Sequence, residues 1–221
     1  AIAVAVVERG FRQNEATTTR APKEQSTNDR IGTETGDFDY YLIALSWSPS
    51  YCDSNPDDRE QCGTRGYGFV LHGLWPQYER GGGPRDCAGT STPDRATVSR
   101  ALAFMPSQRL IAHQWRAHGR CSGLDATSYF DAADRAFAQV RIPVVFTPPA
   151  APPEMSAEAI ASAFVEANPG LGRDMVAVVC RRRDLAEVRV CVDHDLAFRA
   201  CARGVRTRCP RDVDLRVPAS R

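Results

Sequence analysis

Two apolar runs of strand length stand out in the first third of the sequence. Residues 37–48 (DFDYYLIALSWS) and residues 67–74 (YGFVLHGL) are rich in aromatic and branched aliphatic side chains. Continuous apolar runs of this length are typical of buried β-strands. Residues 175–180 and residues 188–192 have the same character, and residues 196–201 are a candidate for one more strand. The pattern therefore predicts strands at both ends of the folded part of the chain.

Apolar positions spaced three and four residues apart predict four amphipathic helices between these strands. Ser107 and Ser156 are predicted N-caps, because a serine hydroxyl accepts a hydrogen bond from a free N–H of the first turn. Gly119 and the sequence Asn168-Pro-Gly are predicted to end the second and the fourth helix. The predicted helices cover residues 94–104, 107–118, 127–140 and 156–168.

The remaining segments have the composition of loops. Residues 48–66 contain prolines, aspartates and an asparagine, residues 77–92 are rich in glycine, and residues 147–153 are rich in proline. Since strands alternate with helices and the later strands are close in sequence, we expect a single α+β domain over residues 37–221. Its sheet should be mostly antiparallel, with helices packed against it. Residues 1–36 are predicted to be a flexible arm, and its seven apolar opening residues are a signal-sequence remnant, a short strand or a disordered end.

Positive charge comes almost entirely from arginine. Of the 28 lysine and arginine residues, Lys23 is the only lysine, and the net charge of the chain is +1. A net charge this small does not indicate a nucleic-acid-binding protein, so any attraction for phosphate must be local. Arginine is the better bidentate partner of phosphate, although a genome rich in G and C would produce the same bias.

The eight cysteines predict disulfide bonds and an oxidising compartment. Their number is even, they are spread along the chain, and no C-x-x-C pair is present, which disfavours zinc and redox sites. About 105 pairings are possible for eight cysteines, and spacing alone does not choose among them. The predicted disulfides favour a secreted or periplasmic protein. We expect no membrane span, because the seven apolar residues that open the sequence are too few to cross a bilayer.

Three of the four histidines fall in two short segments that also contain tryptophan. The first is FVLHGLWP at residues 69–76, with His72, and the second is HQWRAHGRC at residues 113–121, with His113 and His118. An imidazole titrates at about pH 6.5, so two of them can act as a neutral base and a charged acid in one displacement. A zinc site is the alternative, but the two histidines of the second segment are five residues apart rather than four.

Both segments resemble the active-site segments of the ribonuclease T2 family, whose forms read x-H-G-L-W-P and H-E-W-x-K-H-G-x-C. The resemblance covers about residues 38–210 and includes LSWSPSYC at residues 45–52 and EVRVC at residues 187–191. It implies an α+β fold and a secreted acid endoribonuclease of the bacterial type, without metal or cofactor. We expect a monomer. The implied reaction cleaves single-stranded RNA by transphosphorylation to 2′,3′-cyclic phosphates. DNA lacks the 2′-hydroxyl and should not be cleaved.

The same resemblance implies roles for the histidines. His118 would be the general base, His72 the general acid and His113 a ligand of the phosphate. We expect His72 at the end of a strand and His118 at the end of a helix, facing each other. A helix-capping or core role is the alternative for His113. The resemblance also implies the disulfides Cys52–Cys62, Cys87–Cys121, Cys180–Cys209 and Cys191–Cys201.

The second segment departs from the family pattern at two positions. Gln114 stands where the family usually has glutamate, and its amide can hydrogen-bond a phosphate or an imidazole but cannot ionise. Ala117 stands where the family usually has lysine, so Arg116 and Arg120 are the predicted phosphate-binding cations; the alternative is that both face solvent. If these departures abolish useful turnover, the protein would be a catalytically weakened T2-like RNA-binding or cytotoxic protein. A disulfide-rich zinc hydrolase is the second alternative.

Aromatic and amide side chains near the first segment are the predicted base-binding residues. Trp75 resembles the first base platform of the family, and stacking on such a ring is worth about 1–3 kcal/mol per base. Gln77 is predicted to read a base edge, and Trp47 and Tyr51 to form part of the site or its wall. The three arginines at residues 181–183 either track phosphates or form a solvated turn between strands.

Overall fold

A six-stranded, mostly antiparallel sheet organises the domain in the computed structural model, which describes residue 1 and residues 35–147 and 154–219. The strands are β1 (Tyr40–Trp47), β2 (Phe69–Gln77), β3 (Glu154–Met155), β4 (Val176–Arg181), β5 (Asp184–Val192) and β6 (Leu215–Arg216). Their order is β2-β1-β5-β6-β3, and β4 pairs with β5 off this path. The pairing of β5 with β6 is parallel and consists of a single residue pair, and Val179 of β4 forms an isolated parallel bridge with Arg208. The structure confirms the predicted α+β class and the antiparallel pairing.

Six α-helices are described, and side-chain caps define where five of them begin. Each of these five N-cap side chains accepts a hydrogen bond from a backbone N–H of the first turn, as short polar side chains do at this position. The caps are Asp58, Asp94, Ser107, Asp125 and Ser156. The helices are α1 (Ser48–Ser54), α2 (Arg59–Cys62), α3 (Arg95–Ala101), α4 (Gln108–Ala117), α5 (Ala126–Gln139) and α6 (Ala157–Ala167). Short 3₁₀ turns lie at Gly119–Ser122, Val144–Phe146 and Arg173–Met175.

Strand β1 separates two apolar clusters because its side chains alternate between the two faces of the sheet. Ile43 and Trp47 belong to the large core, which the helices cover, whereas Tyr40 and Leu42 pack in a smaller cluster with Cys191. The two histidine segments meet on the face of the sheet that carries this smaller cluster, and Trp75 of the first segment packs against the cluster.

Four disulfide bonds are present: Cys52–Cys62, Cys87–Cys121, Cys180–Cys209 and Cys191–Cys201. These are the pairs that the family resemblance implied, and no cysteine of the chain is free. Cys87–Cys121 ties the glycine-rich loop after β2 to the turn that follows α4.

Thiol titration of the denatured, unreduced protein should therefore detect no free cysteine. The same titration after reduction is the control and should detect eight. Two or more free thiols before reduction would contradict both the pairing and the oxidising compartment that it implies.

Two local predictions are wrong. Residues 48–66 were expected to form a loop, but they contain α1 and α2; Pro49 lies in the first turn of α1, where its missing N–H costs no hydrogen bond. Residues 196–201 are not a strand. Leu196 has a φ of +69°, and only an isolated bridge between Val192 and Phe198 remains there.

Some predictions fall outside the described residues. The flexible arm at residues 1–36 lies almost entirely there, as does most of the proline-rich connection at residues 147–153. Among the residues that the structure describes, no helix is both long and apolar enough to cross a membrane.

Candidate active site

A β-bulge in β2 positions the first histidine. Gly73 pairs with Ala44 and Leu71 pairs with Leu45, so His72 is the extra residue between two consecutive pairs. Such a bulge leaves one residue outside the ladder and re-aims its side chain, which is common beside active sites. His72 thus lies inside β2, which continues to Gln77, and the expectation that it ends a strand is wrong.

A carboxylate two strands away holds His72. The order β2-β1-β5 separates the backbones of His72 and Glu187 by roughly 10 Å, and their side chains bridge this gap. The Nδ1 of His72 lies 2.6 Å from Oε1 of Glu187, while Arg189 donates from Nε and Nη2 to Oε2 at 2.9 and 2.7 Å. The Glu187 side chain is only 13% exposed, whereas that of His72 is 34% exposed. The imidazole can therefore reach a substrate, while its anchor is shielded.

The charge on Glu187 is stabilised despite its burial. Burial alone would raise the pKa of this carboxyl, but the hydrogen bond and charge of His72 and the charge of Arg189 lower its pKa below the usual range. A carboxylate that stays ionised accepts the Nδ1 proton of His72, which leaves Nε2 of the imidazole for the substrate.

The second histidine terminates α4. His118 is the C-cap residue, and its backbone N–H donates to the carbonyl of Gln114. Its side chain is 4% exposed, and Nδ1 is buried with no hydrogen-bond partner among the described residues. Burial, aided by the charge of Arg85 and the neighbouring histidines, lowers the pKa of His118 to about 3. His118 is therefore neutral over the ordinary pH range, as a general base must be.

Trp75 contacts both histidines. Its ring stacks on His118 and meets His72 edge-on, with 5.1 Å between ring centroids in both pairs. The indole Nε1 donates to Oε1 of Gln114 at 2.7 Å. A side chain on Gly73 would collide with both partners of this bond, since a Cβ would lie 2.2 Å from Gln114 Oε1 and 2.3 Å from Trp75 Nε1. The glycine of the H-G-L-W segment is thus required by the contact that joins the two segments.

A cavity of about 790 Å³ opens beside His72. His113 and Arg116 line it from α4, and Tyr51 lines it from α1, where its hydroxyl donates to Asp58 at 2.8 Å. Burial and the charges of Arg116, Arg85 and His72 lower the pKa of His113. A cavity of this size is typical of small-ligand sites and is large enough for a nucleotide.

The structure brings most, but not all, of the predicted site residues together. Trp47 is fully buried in the main core, and its Nε1 donates to the carbonyl of Pro218. Gln77 donates to the carbonyl of Pro76, and Arg120 donates to the carbonyl of Ser91; neither is part of the cavity wall within the described residues. Arg181 lines the cavity at the end of β4, just before the turn to β5.

Three residues of the site carried no sequence-based prediction. Glu187 and Arg189 alternate on β5, and a charged pair in an otherwise apolar strand is the signal that could have identified them. Arg85 lies in the glycine-rich loop, where periodicity gives no signal, and its Nη1 is 3.4 Å from Nε2 of His118.

Residues 35–147 and 154–219 contain no set of ligands for the zinc site considered as an alternative. No three His, Cys, Asp or Glu side chains converge there in a way that could hold a metal ion, and all eight cysteines are in disulfides. The imidazoles contact carboxylate, guanidinium and indole groups instead.

Comparison with known proteins finds ribonucleases among the relatives of this chain. A ribonuclease from Aeromonas hydrophila is 48% identical over 100 residues, which cover 45% of each chain. The chain spans about half the length of the curated relatives it matches. Two solved structures, each 25% identical, have the same fold. An RNase-related protein from Calystegia sepium aligns over 83% of this chain and 98% of its own with a TM-score of 0.68. RNase NT in complex with 5′-AMP aligns over 77% and 98% with a TM-score of 0.56.

The family model described as the Ribonuclease T2 family matches residues 38–201. This range contains both histidine segments, the bulge in β2 and the whole of β5. The chain belongs to the ribonuclease T2 family.

Proposed function

We propose that this protein is an endoribonuclease that cleaves single-stranded RNA to 2′,3′-cyclic phosphate products without a metal ion. The observation that carries the proposal is the pair of histidines beside Trp75 in unequal environments. His72 is partly exposed and anchored to a carboxylate, whereas His118 is buried and neutral. Two titratable groups in environments that differ in this way are suited to act as acid and base in one reaction.

RNA carries its own nucleophile, so the protein has only to move protons and stabilise charge. Nε2 of His118 takes the proton of the 2′-hydroxyl as its oxygen attacks phosphorus. The bond from phosphorus to the 5′-oxygen then breaks, and Nε2 of His72 donates its proton to that oxygen. His113 and Gln114 are proposed to hydrogen-bond the phosphate. Of these two residues His113 lines the cavity, as does Arg116. Trp75 and Tyr51 remain our proposed base-binding residues.

Glu187 supports the acid role of His72. A protonated imidazole has two N–H groups, and Glu187 accepts the one at Nδ1, so the other is aimed at the leaving oxygen. This is the relation by which an acidic side chain orients the histidine of a catalytic triad.

Glu187→Gln should lower kcat by at least about tenfold, with a smaller change in KM. The glutamine amide can present an N–H to Nδ1 and hold the wrong tautomer of His72. Glu158→Gln, in an exposed salt bridge with Arg173, is the matched control and should behave as wild type. A wild-type kcat in Glu187→Gln would contradict the orienting role.

Four disulfides support a secreted or periplasmic location, since such bonds persist in oxidising compartments.

The first test of the function is incubation of purified protein with single-stranded RNA in the presence of a chelator. We expect undiminished cleavage and products that end in 2′,3′-cyclic phosphate. Loss of activity on chelation would favour a metal-dependent hydrolase.

The departures at Gln114 and Ala117 favour one second candidate, an RNA-binding or cytotoxic T2 protein with weakened catalysis. Gln114 is 1% exposed and engaged by Trp75, and Ala117 is also buried. Retained RNA binding with no turnover beyond that of a His72→Ala variant would support this second candidate.

A further inference from the structure

The site is one cation short of the family pattern. The position before the second histidine of the segment, where the family usually has lysine, is Ala117, and its side chain is 1% exposed. No lysine follows residue 23. A phosphorane carries more negative charge than the phosphodiester from which it forms, so a well-placed cation accelerates its formation. The positive charge that lysine supplies in the family must therefore come from an arginine elsewhere in this chain.

The glycine-rich loop after β2 delivers an arginine to this position. The backbone N–H of Asp86 donates to the carbonyl of Ala117 at 3.0 Å. One residue later, Cys87 is bonded to Cys121. These two links hold the loop over the end of α4, and they flank Arg85 on its C-terminal side. The residue that follows Arg85 is thus hydrogen-bonded to the backbone of Ala117, the residue that lacks the cation.

The guanidinium of Arg85 faces the base. Its Nη1 lies 3.4 Å from Nε2 of His118, and since a guanidinium can only donate, Nε2 presents its lone pair there. Arg85 also acts electrostatically on His113. Its side chain is exposed and forms no salt bridge within the described residues.

The other arginines near the site have different surroundings. Arg189 is bound to Glu187 and lies 5.3 Å from the centroid of Trp75, and Arg120 donates to Ser91. Arg116 lines the cavity from the turn before His118. Arg85 is the arginine in contact with the ring nitrogen that would take the proton.

We propose that Arg85 is the cation that stabilises the transition state in this enzyme, in place of the lysine that the family usually has at the position of Ala117. In the free protein it contacts Nε2 of His118. When RNA binds, the 2′-hydroxyl takes that position and the guanidinium turns to a non-bridging oxygen of the scissile phosphate. Arg85 transfers no proton; the 2′-proton goes to His118, and His72 protonates the departing 5′-oxygen. The inference rests on the proposed function and adds to it the source of the charge.

The test compares Arg85→Met, which keeps length without charge, with Arg85→Lys, which keeps a charge. Arg135→Met, an exposed arginine of α5 outside the site, is the matched control. Steady-state cleavage of a short single-stranded oligoribonucleotide is measured across pH. We expect Arg85→Met to lower kcat by about 10²-fold, as loss of one oxyanion donor does, with a KM within about threefold of wild type. Arg85→Lys should recover part of the loss, and Arg135→Met should match wild type.

The pH profile separates a catalytic from a structural role. The groups that face His118 are Arg85 from the loop, His72 from β2 and His113 from α4, with Glu187 and Arg189 beyond His72 on β5. Removing the charge of Arg85 makes protonated His118 less unfavourable, so the acid limb of kcat/KM should move to higher pH in Arg85→Met and stay in place in Arg85→Lys. A wild-type kcat in Arg85→Met, or an equal loss in both variants with an unmoved limb, overturns the role of Arg85 while the proposed function stands. Absence of cleavage by the wild-type protein overturns the proposed function itself.

Discussion

His72→Ala and His118→Ala should each lower the rate of RNA cleavage by about 10²–10⁴-fold, the usual contribution of one proton-transfer group. His72 is anchored by Glu187 to donate, and His118 is held neutral to accept, so neither can take over the task of the other. His113→Ala should cost less, because a phosphate ligand is only one of several groups that share the charge. The measurement is the initial rate of cleavage of a short oligoribonucleotide.

Burial makes a control necessary for His118. Removing a side chain that is 4% exposed leaves a space beside Trp75 and can destabilise the fold. His118→Asn keeps more of the volume and should lose as much activity while unfolding at nearly the wild-type temperature. His194→Ala, an exposed histidine packed against Phe38, should be fully active. A wild-type rate in either His72→Ala or His118→Ala would refute the assignment of these two residues.

Cleavage should depend on pH with a bell shape whose acid limb lies near pH 3. The pKa of His118 is lowered to about 3, mainly by burial. A general base must be neutral, so kcat/KM should rise about tenfold per pH unit below that value and level off above it. Activity should fall again at higher pH, when the general acid loses its proton. An acid limb near pH 6.5, the ordinary histidine value, would show that His118 is not the buried base.

Protonation of His118 also affects the stability of the fold, and the lowered pKa of His118 sets the direction of that effect. Unfolding exposes His118 and raises its pKa to the ordinary value, so the unfolded chain binds one more proton between about pH 3 and pH 6.5. Stability should therefore fall as pH falls through this window. Thermal unfolding recorded at each pH separates loss of the fold from protonation of the base.

The elements that sequence predicted well are those whose signal is local. Strands β1 and β2 are long apolar runs, and α4 and α6 begin at serines whose side chains cap them. The two-residue strands β3 and β6 are too short for any periodicity, so pairing alone defines them. Helix α1 was missed because its proline and polar residues have the composition of a loop.

The candidate site was predictable only as far as its motifs reach. His72, His113 and His118 stood in recognisable segments, whereas Glu187 is 115 residues from His72 and meets it only because β1 lies between β2 and β5. The position of His72 inside β2 depends on a bulge that no periodicity predicts. Trp47 was expected near the site because it precedes the second strand, but the alternation of β1 directs it into the core.

The central claim is that the 2′-hydroxyl of the substrate is the nucleophile and that two histidines move the protons. An oligodeoxynucleotide with one internal ribonucleotide, incubated with the protein and a chelator, tests this directly. We predict a single cut, immediately 3′ of the ribonucleotide, with a 2′,3′-cyclic phosphate on one product and a 5′-hydroxyl on the other. The all-deoxy oligonucleotide and a 2′-O-methyl version should remain intact. Cleavage of the all-deoxy or the 2′-O-methyl oligonucleotide, or a product that ends in a 5′-phosphate, would contradict the account.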